Sequence, residues 1–217
     1  MKKILTALTV IAFLFGSAFV IGSFKTNRII VPAKEINWTK LPAEATIWTC
    51  DPGHSNVKFT VMHLGVSEME GKFKVFDGKM SYSKDDMSDA QVEFSVDVNS
   101  IDTDYDVRDN HLKSDDFFNA EKFPKMTFKS SSFEHIADNK YKLTGNLTIR
   151  DVTQPVTYDV TYGGTKPDGY GNTKAGYVAT TTINRLDYKI NWNVVSEGTS
   201  VVSTDVVIRV NLELKKI

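Results

Sequence analysis

Long, regular alternation of apolar and polar residues is the feature that most constrains the fold of this chain. From residue 90 to residue 98 every second residue is apolar, and residues 141–149 and 206–214 repeat the pattern. A period of two puts alternate side chains on opposite faces of a β-strand, so one face of each strand is expected to be buried. About eight such stretches follow Thr46, mostly joined by short polar turns, which predicts an all-β domain with antiparallel pairing.

The strand lengths favour a closed barrel over a sandwich. Several stretches reach about ten residues, whereas strands in globular proteins are usually about five or six residues long. An eight-stranded barrel holds either a packed core or one small apolar ligand. A cavity is favoured by small residues on the inward faces, although facing bulky residues would fill the gaps: Ala90, Gly145, Ala175, Ala179 and Thr181.

The first long strand, residues 55–64, carries four side chains that are expected to point into the barrel: Val57, Phe59, Val61 and His63. Residues 65–71 are predicted to form a turn. The adjacent Val75 and Phe76 then predict a bulge in the next strand.

Residues 102–118 break the alternation and form a predicted helical insert. Val107, His111 and Leu112 recur at helical spacing, with Asp104 placed to cap the helix. Val107, Leu112 and Phe117 are expected to pack toward the barrel. An all-β chain with one polar helical interruption uses it to close, cap or gate something.

The N-terminal region is predicted to lie outside the domain. Residues 1–18 resemble a signal peptide, with Lys2 and Lys3 before an apolar run and small residues before a cleavage point. Counting residues 16–21 extends the apolar run to about 18 residues, so an uncleaved membrane anchor is the alternative. Residues 19–45, interrupted by two prolines, are predicted to be a linker, and residues 46–217 the barrel.

Composition excludes several functions. The formal net charge of −1 argues against nucleic-acid binding, which needs a basic surface. The single cysteine, Cys50, cannot form an internal disulfide and is in no motif with a histidine, so a catalytic cysteine is not expected. There is no phosphate-binding glycine loop, serine elbow or metal cluster in the sequence.

Four segments resemble the YceI-like family of lipid- and polyisoprenoid-binding proteins. They read DPGHSNVKFTVMHLGVSEMEGKF, SIDTDYDVRDNHLKSDDFF, KFPKMTFKSSSF and GNLTIRDVTQPVTYDV, in family order. The resemblance implies an eight-stranded, lipocalin-like antiparallel barrel with a helical segment, enclosing an apolar channel for an isoprenoid-type lipid. It also implies a bacterial protein exported to the periplasm or secreted, which agrees with the signal peptide.

Two positions depart from the family pattern. Asp151 stands where a glycine is common in a turn, and Lys189 replaces a glycine that usually follows the aromatic residue. The second departure is expected to alter the loop near the cavity mouth.

The polar candidates each have a structural alternative. Arg108 is either a clamp for a diphosphate or carboxylate at the channel mouth, or half of a helical ion pair with Asp104. His63 either meets the polar part of a ligand or is a hydrogen-bonded core histidine. Arg185, which continues the inward face of Ile183, is a second head-group candidate.

The sequence therefore predicts a binding protein, not an enzyme, that carries or sequesters a long-chain isoprenoid or fatty lipid. The alternatives are an enzyme acting on a lipid with His63, Asp109 and His111, and a ligand-free stress or interaction protein. No cofactor or metal is predicted, beyond a bound isoprenoid lipid or quinone, and a homodimer is left open. The predicted ligand-binding residues are Val57, Phe59, Val61, His63, Phe73, Phe94, Val96, Arg108, His111, Leu112, Phe117, Leu143, Leu147, Tyr158, Tyr177, Ala179 and Arg185.

Overall fold

A computed structural model describes residues 36–38, 40–196 and 199–217. The predicted signal peptide and most of the predicted linker lie outside these residues. The described elements, in chain order, are β1 (Thr46–Cys50), β2 (Asn56–His63), β3 (Ser67–Phe73), β4 (Phe76–Tyr82), β5 (Gln91–Asp97), β6 (Ile101–Asp102), α1 (Asp106–Lys113), β7 (Lys125–Ala137), β8 (Lys140–Ile149), β9 (Val152–Pro167), β10 (Thr173–Asn184), β11 (Val195–Ser196), β12 (Thr199–Ser200) and β13 (Asp205–Lys216).

The main sheet closes into an antiparallel barrel. Its order runs β1-β4-β5-β7-β8-β9-β10-β13, and β13 returns to pair with β1. The same β13 also pairs with β2, which continues through β3 to β6. Three barrel strands are therefore each interrupted once, as β1 with β2, β3 with β4, and β5 with β6. The predicted eight-stranded antiparallel barrel with one helix is confirmed.

Local chemistry explains two of the interruptions. Between β1 and β2, Pro52–His54 form a 3-10 turn in which the Asp51 carboxylate accepts a hydrogen bond from Gly53 N (3.1 Å). Between β3 and β4, the amide of Val75 donates to Ser100 Oγ (3.0 Å) instead of to a neighbouring strand. This break coincides with the predicted irregularity at Val75.

The predicted turn over residues 65–71 is too long. The turn covers only residues 64–66, and Ser67 already pairs with His63 in the β2–β3 ladder. Gly71 lies inside β3, opposite Phe59, whose ring occupies the space that a Cβ atom would fill. The glycine therefore marks a close packing contact and not a turn.

The helical insert is present, but two expectations about it are wrong. The residue before the helix is Tyr105, and Asp104 has a left-handed φ of 58° with its amide donating to Asp102 Oδ1 (3.0 Å). The side chain of Val107 is on the solvent side, 66% exposed, because only one face of this short helix meets the barrel. Leu112 and Phe117 are buried as expected.

The described part of the predicted linker contacts the barrel. Trp38 Nε1 donates to Glu93 Oε2 (2.7 Å), and Lys79 Nζ lies 5.9 Å from the centre of the Trp38 indole. Trp38 is thus anchored on β4 and β5 by Lys79 and Glu93. Within the described residues, no helix is both long and apolar enough to cross a membrane.

Candidate functional site

An apolar cavity of about 130 Å³ lies inside the barrel. Inward residues of the barrel strands form its wall, and α1 with the residues after it closes one end. The lining comprises Val57, Lys58, Phe59, Val61, Phe73, Phe94, Val96, Leu112, Phe117, Phe118, Met126, Thr127, Phe128, Leu147, Ile149, Tyr158, Ile183, Arg185, Ile190, Val206, Ile208 and Val210.

A second cavity of about 50 Å³ lies in the same interior. Three residues predicted to bind ligand line this second space and not the first: Leu143, Tyr177 and Ala179. Burial raises the pKa of Tyr177, whose hydroxyl contacts the sulfur of Met87 (3.5 Å). Burial likewise raises the pKa of Tyr158 in the wall of the first cavity.

Most predicted lining residues are where the alternation placed them. Further lining residues carry the same alternation signal but were absent from the predicted set: Met126, Phe128, Ile149, Ile183, Val206, Ile208 and Val210. Phe118 and Ile190 lie in irregular segments, where periodicity gives no signal.

The expectation that inward small residues leave empty space is wrong at Gly145. A Cβ atom there would overlap the Phe128 ring and the carbonyl oxygen of Lys129. Phe128, on the neighbouring strand, fills this space and packs edge-on against Tyr158, with ring centres 5.4 Å apart. Gly145 therefore does not contribute to the empty volume of the cavity.

His63 does not point into the barrel. It is exposed at the end of β2, where the strand pairs with Ser67 and forms an isolated bridge with Val202. Val61 is the last residue of β2 that lines the cavity, and His63, two residues further, lies at the exposed end of the strand.

Arg108 is hydrogen-bonded to Thr103 and not to Asp104, its predicted ion-pair partner. Its Nε donates to Thr103 Oγ1 (2.7 Å) and its Nη2 to Thr103 O (2.6 Å), and the guanidinium lies over the Tyr105 ring. The buried Asp109 carboxylate accepts from the amide of Thr103 (3.0 Å) and from its hydroxyl. Arg108 and Asp109 thus fix the loop before α1, and Arg108 is outside the cavity lining.

His111 pairs with Asp116 and not with Asp109. Its Nε2 is 3.0 Å from Asp116 Oδ2, and its ring packs edge-on against Phe117 and Trp192. Phe117 lines the cavity but His111 does not, and the structure does not bring His111 together with Asp109, the two residues named with His63 for the enzyme alternative.

Arg185 lines the cavity and is only 4% exposed, but its guanidinium donates hydrogen bonds to backbone carbonyl groups. Its Nε donates to Ser203 O (2.9 Å), its Nη1 to Ile190 O (2.7 Å) and its Nη2 to Val202 O (3.3 Å). Burial lowers its pKa. The side chain therefore ties Ile190, Val202 and Ser203 to the end of the barrel.

Asp151 and Lys189, the two predicted departures from the family pattern, are in contact with each other. Lys189 Nζ lies 2.8 Å from Asp151 Oδ2, and this contact lowers the pKa of the Asp151 carboxyl. Lys189 adopts a left-handed φ of 59°, a backbone conformation that glycine adopts at lower cost than other residues. Arg150 completes the junction by donating to Lys189 O (2.8 Å) and Phe117 O (3.0 Å).

One polar cluster resembles a metal site in composition. His54 Nδ1 lies 3.2 Å from Asp51 Oδ2 and 3.7 Å from Glu213 Oε1. The Lys174 ammonium already bonds to both carboxylates, at 2.9 Å from Glu213 Oε1. A cation would have to displace that ammonium, so the cluster is accounted for as an ion-pair network.

Residues 48–214 match the YceI-like domain. The chain belongs to the YceI-like family. The YceI-like chain is 35% identical over 152 residues to a UPF0312 protein of Vibrio parahaemolyticus, covering 69% of this chain and 80% of that protein. It is 39% identical over 137 residues to protein YceI of Salmonella arizonae, covering 63% of this chain and 71% of the relative.

Solved structures share the barrel of this YceI-like protein. The Campylobacter jejuni YCEI protein superposes with a TM-score of 0.60 at 31% identity, covering 70% of this chain and 87% of that one. BcnA of Burkholderia cenocepacia gives a TM-score of 0.68 at 24% identity, covering 76% and 98%. A polyisoprenoid binding domain from Saccharophagus degradans gives 0.56 at 16% identity, covering 77% and 97%. The last two show likeness of fold.

Proposed function

We propose that this protein binds the apolar chain of an isoprenoid-type or other long-chain lipid inside the barrel, as an exported carrier or sequestering protein. The observation that carries the proposal is the cavity of about 130 Å³ inside the barrel, lined almost wholly by aliphatic and aromatic side chains. Each methylene moved from water into such a space contributes about 0.8 kcal/mol. The Saccharophagus degradans neighbour is described as a polyisoprenoid binding domain, so the fold is compatible with this ligand class.

The lining favours binding of chains over recognition of head groups. The guanidinium of Arg185, the one arginine in this lining, donates to backbone carbonyls, and Arg108 is directed to Thr103. The polar end of a ligand is therefore expected to lie outside the cavity. Export through residues 1–18 and a periplasmic or secreted location remain part of the proposal.

We favour binding over catalysis. Among the described residues, no histidine lines the cavity, and the His111–Asp116 pair lies outside the lining. A positioned acid or base has to reach the reacting atoms of its substrate. A lipid-processing enzyme would need such a group within the wall.

Two valine-to-phenylalanine variants on adjacent positions of β13 test the proposal. Val206 lines the cavity, whereas Val207 is outward and 39% exposed. Val206→Phe should fill part of the cavity and weaken binding of farnesol at least tenfold, the equivalent of about two buried methylenes. Val207→Phe should bind like the wild type.

Isothermal titration calorimetry at two temperatures provides the readout, because burial of an apolar chain gives a negative heat-capacity change. Thermal unfolding checks that both variants fold. If Val206→Phe does not fold, Ile208→Phe replaces it as the cavity-filling variant. A wild type that binds no farnesol or other isoprenoid alcohol, or equal binding by all variants, would contradict the proposal.

A further inference from the structure

The two cavities are consecutive compartments of one barrel interior. On β13, Val210 lines the first cavity and the next inward residue, Leu212, lines the second. On β9, Tyr158 lines the first cavity and Val160 lines the second. The compartments therefore follow each other along the barrel, separated by a single layer of side chains.

Phe94 belongs to that layer and borders both spaces. Among the described residues, it is the only one that lines the first and the second cavity. Its cross-strand partner Gly78 leaves room for the ring, since a Cβ atom on Gly78 would overlap it. Phe76 packs on the ring with centres 6.0 Å apart.

The surroundings of Phe94 leave its ring free volume on two sides. Phe128, its partner on β7, is buried to 6% exposure between Gly145 and Tyr158. Phe94 faces inward too, but it is only half-buried, and it borders both cavities. Of these two rings, Phe94 is the less buried and the one that borders both cavities.

We propose that the Phe94 ring is a partition that sets the length of apolar chain the barrel accepts. The first cavity compares with an engineered cavity of about 150 Å³ that holds one benzene molecule, so it takes only a short chain segment. A longer chain reaches the second cavity when the Phe94 ring turns aside. This inference rests on the proposed function and names the residue that sets its chain-length preference.

The partition has a measurable consequence for a series of linear primary alcohols. Affinity should rise about fourfold for each added methylene while the first cavity fills. Beyond that length the gain per methylene should fall, because further carbons have to displace the ring. Removal of the ring should let the rise continue into the second cavity.

Phe94→Ala is the test variant and Phe59→Ala its matched control. Phe59 is also an inward, half-buried phenylalanine over a glycine, Gly71, but it lines only the first cavity. Both variants add the volume of one ring to the first cavity. For long alcohols, we expect Phe94→Ala to bind at least tenfold more tightly than Phe59→Ala. This difference in affinity reports access to the second cavity.

A double variant locates that gain. Ala179 lines only the second cavity, so Phe94→Ala/Ala179→Phe should return long-alcohol binding to the level of Phe59→Ala. Thermal unfolding checks folding, and Phe94→Leu, expected to show part of the gain, replaces Phe94→Ala if that variant does not fold.

The outcomes separate this inference from the proposed function. If alcohols bind but the length profiles of Phe94→Ala and Phe59→Ala coincide, the partition is overturned and the binding function stands. If no alcohol binds the wild type or any variant, the proposed function fails and the partition fails with it. Retention of the gain in the double variant would also overturn the partition.

Discussion

Replacing Arg185 by methionine tests how the end of the barrel is held together. The change keeps an unbranched side chain but removes the donors that bond to the carbonyls of Ile190, Val202 and Ser203. If these contacts hold residues 190–196 and 199–203 against the barrel, the variant should lose stability and these residues should open. If Arg185 instead serves a ligand head group, stability should be little affected.

The expected magnitude follows from the contacts. A hydrogen bond from a charged donor contributes about 1.5–3 kcal/mol, and Arg185 makes three. The cost of burying the guanidinium, about several kcal/mol, offsets part of that sum. We therefore expect Arg185→Met to lower the free energy of unfolding by about 2–4 kcal/mol, a shift of about 1–2 M in the urea midpoint.

Urea unfolding and hydrogen exchange provide the assay. Arg209→Met is the matched control, because Arg209 is exposed on β13, and its effect should stay within about 0.5 kcal/mol. Amides in residues 190–196 and 199–203 should exchange faster in Arg185→Met. Wild-type stability together with a selective loss of farnesyl diphosphate binding, with farnesol binding unchanged, would refute the reasoning.

Three further predictions concern other parts of the barrel. The hydrogen bond from Lys174 lowers the pKa of the Asp51 carboxyl from its ordinary 3.8 to about 2, so the pair stabilises the fold above pH 3.8 and this contribution is lost as the pH falls through about 2. Asp51→Asn should therefore lose stability less steeply over this pH range in acid-unfolding curves. An unchanged slope would contradict the contribution of this pair. Gly145→Ala should lower the free energy of unfolding by about 1–3 kcal/mol through overpacking, whereas Gly163→Ala should be tolerated because its Cβ atom would meet only ordinary contacts from 3.4 Å. Equal urea midpoints of the two variants would contradict this prediction. Trp38→Ala should lower the free energy of unfolding by about 1–2 kcal/mol through loss of its hydrogen bond and cation–π contact, and an unshifted melting temperature would show that this segment is not anchored.

The sequence was sufficient for the barrel because period-two alternation specifies which residues face inward. It was insufficient where packing depends on the cross-strand neighbour. Gly145 reads as a gap along its own strand, but register places the Phe128 ring in that gap. Whether inward positions leave a cavity therefore depends on strand pairing, which the pattern of one strand does not contain.

The polar residues were predicted less well because their partners are backbone groups. Arg108 was expected to meet Asp104 or a ligand, but it donates to Thr103 in the loop before α1. Arg185 was correctly expected at the cavity, whereas its carbonyl partners lie in a loop without periodicity. Trp38 lies in a segment with linker-like composition, which gives no sign of its contact with Glu93.

The most direct test of the central claim is a crystal structure of the protein soaked or co-crystallised with farnesol, compared with the ligand-free crystal. We expect continuous density in the first cavity for the isoprene end of farnesol farthest from the hydroxyl, against Val57, Phe73 and Val210, with the remaining carbons and the hydroxyl outside that cavity. An interior filled by side chains, or farnesol bound only on the outer surface of the barrel, would contradict it.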